Sequence, residues 1–290
     1  MAYLFLITEI LTASLLSIMG SLFNKRNASY HGFSMLYNSI LIGSACAGWC
    51  VIYLANASFE IGVLPYSFGY AVGYAMALIC LFKALECGPV SLTAFLKAIS
   101  LVLPSIWGFI FWDEPLTIPV ILGFALVLLS LLLFFAKKRE KGQLEIPLKW
   151  FLYILGLLVG NSGSLIVQKY QQIAFEGAHK NMLMFFATAT ATLVCLAFAL
   201  AERKKNTLPR QALAKSFYLP IAAGLGSTLF NLLLMLTLPL LPSSIIYPAI
   251  AVGSVIVTTL FSALVCKERL RTAQWVGLTL GCMALILLNL

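Results

Sequence analysis

Asp113-Glu114-Pro115-Leu116, followed by the apolar run 117–136, returns 154 residues later as Lys267-Glu268-Arg269-Leu270, followed by the apolar run 273–290. Glu114 and Glu268, Leu116 and Leu270, and Gly123 and Gly277 all stand at that offset. Further out, Pro89 before one apolar run has Pro242 before another, and Gly20-Ser21-Leu22 recurs as Gly163-Ser164-Leu165. His31 and His179 also occupy matching places, each at the start of an apolar run. The offset drifts from 143 to 154, as it would if loop insertions separated the matched blocks. A duplicated array of apolar segments is the pattern of secondary-transporter folds, in which the site lies between the halves.

Composition agrees. The 290 residues are 61% hydrophobic and 10% charged, with a mean hydropathy of +0.99. A soluble domain carries about 25% charged residues, so lipid must cover the apolar surface here. One Asp and two His leave few groups for hydrolytic or metal chemistry, and no catalytic site, metal or cofactor is expected. The seven cysteines form an odd set without a CxxC pair, and they read as small apolar fillers. The formal charge of +9 lies in short connections, which points to membrane topology and not to nucleic acid.

A bilayer span takes about 20 mostly apolar residues. Ten segments qualify: 3–23, 33–54, 63–85, 89–111, 117–136, 150–173, 180–201, 217–237, 242–265 and 273–290. The expected fold is all-α and integral to the membrane, with residues 1–140 as a first five-helix repeat and 141–290 as a second. Five spans per repeat is an odd number, so the repeats are expected to be inverted relative to one another. The odd-numbered connections hold 16 of the 19 Lys and Arg residues, counting those at span ends. The positive-inside rule then puts those connections in the cytoplasm and both termini outside, in the plasma (cell inner) membrane.

Charge at membrane depth is costly and marks function by default. Lys97 lies near the middle of span four, on a face with Thr93, Ser100 and Pro104. The same face in span nine carries Tyr247, Ala251, Ser254 and Thr258. The two polar stripes are expected to form facing walls of a substrate cavity, the alternative being Ser and Thr hydrogen bonds between helices. Pro104 and Pro248 each remove a backbone donor, freeing the carbonyls of Ser100 and Ser244. Glu9 heads a face of span one that continues through Ala13, Ser17, Gly20 and Asn24. It is a candidate proton-coupling group, or else an interfacial carboxylate that snorkels to the surface. Asn161 with Ser164 and Gln168 in span six, Asn231 with Ser227 and Thr228 in span eight, and Tyr74 with Tyr66 and Tyr70 in span three complete the candidate lining. Lys25, Lys83 and Lys169 lie near span ends and read as snorkelling. The pairs Gly69/Gly73, Gly156/Gly160 and Gly277/Gly281 suit close helix contacts, and the last could also serve dimerisation.

Taken together, Pro89-Val90-Ser91-Leu92, Pro104, Glu114-Pro115-Leu116 and Gly123, with Pro242-Ser243-Ser244, Glu268-Arg269-Leu270 and Gly277, resemble the drug/metabolite transporter superfamily in its ten-helix EamA-like branch. Lys25 and Lys169 match the basic residue that closes the first helix of each family repeat. The resemblance implies inverted five-helix repeats around a central cavity, and export, exchange or facilitated movement of small organic solutes such as amino acids or amphipathic cations. Lys97 departs from the small polar residues usual at its place, and it suits a carboxylate or phosphate better than a fixed cation. The expected activity is secondary transport of small metabolites by alternating access, as exporter or exchanger, by a monomer or homodimer in the lipid bilayer. A passive channel or facilitator, or a non-transporting membrane protein, is the alternative.

Overall fold

A computed structural model describes residues 1–27, 29–30, 32–135, 147–201, 207–264 and 271–288. Among these residues every regular element is helical. Besides one 3-10 turn at Ile61–Val63, they are α1 (Ala2–Arg26), α2 (Ser34–Ala55), α3 (Leu64–Cys87), α4 (Val90–Phe111), α5 (Ile118–Phe135), α6 (Leu148–Ala174), α7 (Lys180–Ala201), α8 (Arg210–Ser216), α9 (Tyr218–Thr237), α10 (Ser243–Leu264) and α11 (Thr272–Leu287). Eight are long and apolar enough to cross a bilayer, while α5 and α11 are shorter apolar helices. The second halves of the repeated motif, Glu268-Arg269-Leu270, lie outside the described residues, as does His31.

The short helix α8 corrects the expected loop between spans seven and eight. Pro209, extended at φ −70° and ψ 151°, precedes its first residue, and a proline there loses no helical hydrogen bond. Ser216, at the far end of α8, accepts from Asn27 Nδ2 at 3.2 Å, which anchors it to the end of α1.

Tertiary hydrogen bonds define two ends of the bundle. At the basic end, Arg26 donates to Tyr218, Phe23 packs with Phe33 and Leu219, and Trp150 donates to Thr93 at 3.0 Å. These contacts join the end of α1 to the start of α9, and the start of α6 to the start of α4. At the other end, which holds the N-terminus, the 113–117 turn, the end of α6 and the start of α10 meet. Glu60 and Met182 also meet there.

Helix neighbours follow one rule. α3 packs on α6 as α9 packs on α1, α2 on α9 as α7 on α3, and α4 on α6 as α10 on α1. The remaining principal pairs are α2 with α7, α4 with α10 and α5 with α11. Glycines permit the closest of these. A Cβ on Gly73 would stand 2.8 Å from the Gly160 carbonyl oxygen, and one on Gly160 would stand 2.6 Å from the Gly73 oxygen. Gly277 and Gly281 lie against Ser130 of α5, whose hydroxyl donates to the Gly277 carbonyl at 2.7 Å. That face of α11 is therefore used within the chain.

Candidate functional site

Much of the α4 stripe is spent on packing against α6. Thr93 is buried; its hydroxyl donates to the Pro89 carbonyl and accepts from Trp150 Nε1. Ser100 is buried and accepts from Asn161 Nδ2 at 2.7 Å. Pro104 has no N–H to offer the Ser100 carbonyl, and Ser162 Oγ fills that gap, donating to it at 2.8 Å. The proline irregularity is thus satisfied by a neighbouring helix, as membrane interiors demand.

Lys97 is different. It is exposed, although Ala98 and Ser100 beside it are buried. Nine residues on, and so half a helical turn around, Ile106 is 45% exposed on the outward face of α4. The lysine therefore projects into the bundle, not toward lipid. Among the described residues it has no ion-pair or hydrogen-bond partner.

Two other helices show where that space leads. On α1 the outward stripe is Leu4, Ile7, Leu11, Leu15 and Leu22, all exposed. The opposite face begins buried at Glu9, is half-buried at Ala13 and Gly20, and is exposed at Ser17 and Asn24. On α10, Tyr247 and Ala251 are buried, while Ser254 and Thr258 are half-buried. Exposure of the inner faces of α1 and α10 thus rises toward the basic end, and on α4 Lys97 is exposed between the buried Thr93 and Ser100. Lys97 is the one lysine or arginine at mid-helix depth among the described residues.

Toward the N-terminal end the interior closes. Glu9 is 0% exposed, which removes the snorkelling alternative, and its Oε1 accepts from Thr237 Oγ1 of α9. Its Oε2 has no partner among the described residues. Tyr247 is buried and donates to the Leu165 carbonyl at 3.4 Å. Tyr70 donates to Asn231 Oδ1 at 3.4 Å and stacks on Tyr74 at 5.8 Å between centroids. Tyr70, Tyr74 and Asn231 line a small cavity with Trp49, Thr188 and Ser227. Among the described residues the buried Trp49 Nε1 has no hydrogen-bond partner, nor does either polar atom of the Gln168 amide.

The best-formed charged cluster sits at that closed end. Lys169 Nζ lies 2.6 Å from Glu114 Oε1 and donates also to Ser243 Oγ. The Ser243 and Ser244 N–H groups, at the start of α10, donate to Glu114 Oε1 and Oε2, each at 2.8 Å. A carboxylate at a helix N-terminus satisfies orphan donors and complements the helix dipole. Lys169 Nζ also stands 4.6 Å from the centre of the Trp112 ring. Burial alone would raise the Glu114 pKa. The Lys169 ammonium and the two backbone donors outweigh it and hold the carboxyl below its ordinary 4.5. Lys169 is thus a buried partner and not a snorkelling side chain.

Residues 148–290 match the model of the EamA-like transporter family. The chain belongs to the drug/metabolite transporter superfamily, in this EamA-like branch. No curated protein matches the chain. A solved chain titled "Crystal structure of protein" superposes with a TM-score of 0.74, covering 99% of this chain and 95% of its own at 14% identity. That likeness speaks for the fold alone.

This EamA-like protein is therefore a multi-pass membrane transporter. Its predicted site residues fall into two groups. Lys97, Ser254 and Thr258 belong to the inner faces that open toward the basic end, with Thr93, Ser100 and Asn161 tied into the α4–α6 seam beside them. Tyr247, Tyr74, Asn231 and Glu9 belong to the closed half. Sequence reasoning missed the Glu114–Lys169 cluster in this transporter. It took Glu114 as a repeat marker and Lys169 as a span-end lysine. The available signal was that an acid in the turn before α5 and a lysine on the last turns of α6 must meet if both lie at one end.

Proposed function

We propose that this transporter moves small organic metabolites by alternating access, in a bundle of two inverted five-helix repeats, 1–140 and 141–290. The neighbour rule supports inversion. Exchanging α1 with α6, α2 with α7, α3 with α9, α4 with α10 and α5 with α11 turns each principal contact into itself or another. The observation that carries the transport reading is the rise in exposure of the inner faces of α1 and α10 toward the basic end, which we read as a vestibule, with Lys97 exposed at mid-depth of α4 and without a partner among the described residues.

On this reading, substrate enters from the basic end, which the loop charges put in the cytoplasm. An unpaired ammonium in a membrane interior attracts a carboxylate or phosphate. Lys97 is then the electrostatic contact, for an anionic or zwitterionic solute. Ser254, Thr258 and Asn161 supply hydrogen bonds, while Tyr74, Tyr247 and Asn231 lie further along the path. Glu9, buried with one oxygen that has no partner among the described residues, is the candidate for proton exchange. The cycle is export or exchange, with the halves rocking about the site.

The test is thermal stabilisation of the purified protein by amino acids, organic cations and organic phosphates, with wild type and Lys97→Ala in parallel. A ligand that binds only the folded protein at about 100 times its Kd stabilises it by roughly 2.7 kcal/mol. An anionic or zwitterionic solute should raise the melting temperature of wild type and lose that effect in Lys97→Ala. Stabilisation by cations alone, or equal responses in both proteins, removes Lys97 from the site. Counterflow in proteoliposomes then separates a carrier from a passive channel.

A further inference from the structure

We propose that Glu114 and Lys169 form the latch that holds the N-terminal end of the transport path closed, and that their separation opens it. The proposal rests on the alternating-access reading for its purpose. Its geometry stands independently.

The pair joins pieces that are distant in sequence. Glu114 sits in the turn after α4, Lys169 near the end of α6, and the N–H groups they engage open α10. The first turn of α10 is held further by Ser105 of α4, whose hydroxyl donates to the Ser243 carbonyl at 2.8 Å. One turn inside lie Tyr247 and its acceptor, the Leu165 carbonyl. Opening the latch would free the segment that carries Tyr247, and this segment roofs the closed half of the interior.

The turn is built to deliver the carboxylate. Asp113 takes a left-handed conformation at φ +51°, which a non-glycine residue rarely adopts. Gly108 leaves room, since a Cβ there would stand 2.9 Å from the Glu114 carboxyl. Such shaping serves a specific charged contact.

Energetics suit a latch. The side chains of Lys169 and Glu114 are only 10% and 7% exposed. A buried ion pair loses hydration when formed and regains it when parted, so its two states lie closer in energy than those of an equal apolar contact. The repeat supplies the second observation. Lys25 stands 144 residues before Lys169, at the matching place in the first half. It is exposed, at the open end, with no ion-pair partner among the described residues. Lys169 is thus clasped at the closed end, while Lys25 is exposed at the other and has no ion-pair partner among the described residues, which leave out Glu268, the repeat twin of Glu114.

The test uses cysteine reporters in the full-length chain, with native cysteines replaced, in membranes of known orientation. Leu165→Cys reports the closed half and Ser17→Cys the vestibule. A membrane-impermeant maleimide is applied from the N-terminal side for the first and from the basic side for the second. With the latch intact, Leu165→Cys should label slowly and Ser17→Cys rapidly. Lys169→Met and Glu114→Gln should each speed Leu165→Cys labelling roughly tenfold, the change expected for about 1.4 kcal/mol of shifted equilibrium. Both should slow Ser17→Cys labelling, and Lys169→Arg should restore the wild-type pattern. A purely structural pair would not change the two reporters in opposite directions. Unchanged Leu165→Cys labelling in Glu114→Gln, which keeps the side-chain shape, overturns the latch even if Lys169→Met does not assemble. Ser17→Cys reactivity would then still support the transporter reading. Faster Leu165→Cys labelling with Ser17→Cys unaltered keeps the latch and overturns alternating access.

Discussion

At the scale of single residues, the charges divide by what surrounds them. Lys97 is exposed and has no partner among the described residues, whereas Lys169 has a carboxylate, a hydroxyl and an indole face. Both are lysines in helices of an apolar protein, so residue type alone could not separate their roles. Glu114 yields a pH prediction. Its pKa is depressed in the folded protein, so its stabilisation is fully present above the ordinary value of 4.5 and is lost as pH falls through the lower folded value. The melting temperature of wild type minus that of Glu114→Gln should hold steady from neutral pH down to the ordinary carboxylate range. Below that range it should shrink. A difference that instead collapses on moving from pH 8 to 6 would point to a titrating partner other than Glu114.

At the scale of elements, helix contacts are set by small residues and by interhelical hydrogen bonds, because lipid offers no hydrophobic drive for helices to associate. The α3–α6 seam shows it best. Gly73 and Gly160 bring the two backbones together, while Gly163 of the same helix faces open space, with nothing within 4 Å of a Cβ built there. Gly160→Ala should therefore destabilise the bundle by about 1–3 kcal/mol through overpacking. Gly163→Ala should be neutral or stabilise by up to about 1 kcal/mol through helix propensity. Unfolding of both variants in the same detergent checks the contrast, and equal effects would mean that the seam is not the tight contact described. GxxxG spacing disclosed these glycines, but which helix they meet, and how closely, is set only when α3 is placed against them.

At the scale of the whole molecule, the proposed vestibule at the basic end and the proposed latch at the other would together make one face of an alternating-access cycle. Orientation gives the direction. A cysteine at Asn24, exposed at the basic end, should react with an impermeant maleimide only from the cytoplasmic side. Reaction from the outside alone would reverse both topology and direction of transport. The sequence by itself determined the class: composition demanded lipid and span periodicity laid out the helices, while the offset repeats raised the expectation of two paired halves. These are local or additive properties, legible without contacts. It also marked Lys97, because a charge at mid-span is expensive wherever it points. It did not separate the buried Glu9 from a snorkelling one, and it did not foresee that Thr93 and Ser100 would be spent on Trp150 and Asn161. Nor did it join Glu114 to Lys169. Each of those outcomes depends on which helix lies opposite, at what depth, and whether a polar atom finds a partner there. That is decided only when the helices pack, because desolvation and hydrogen bonding act between groups far apart in the chain.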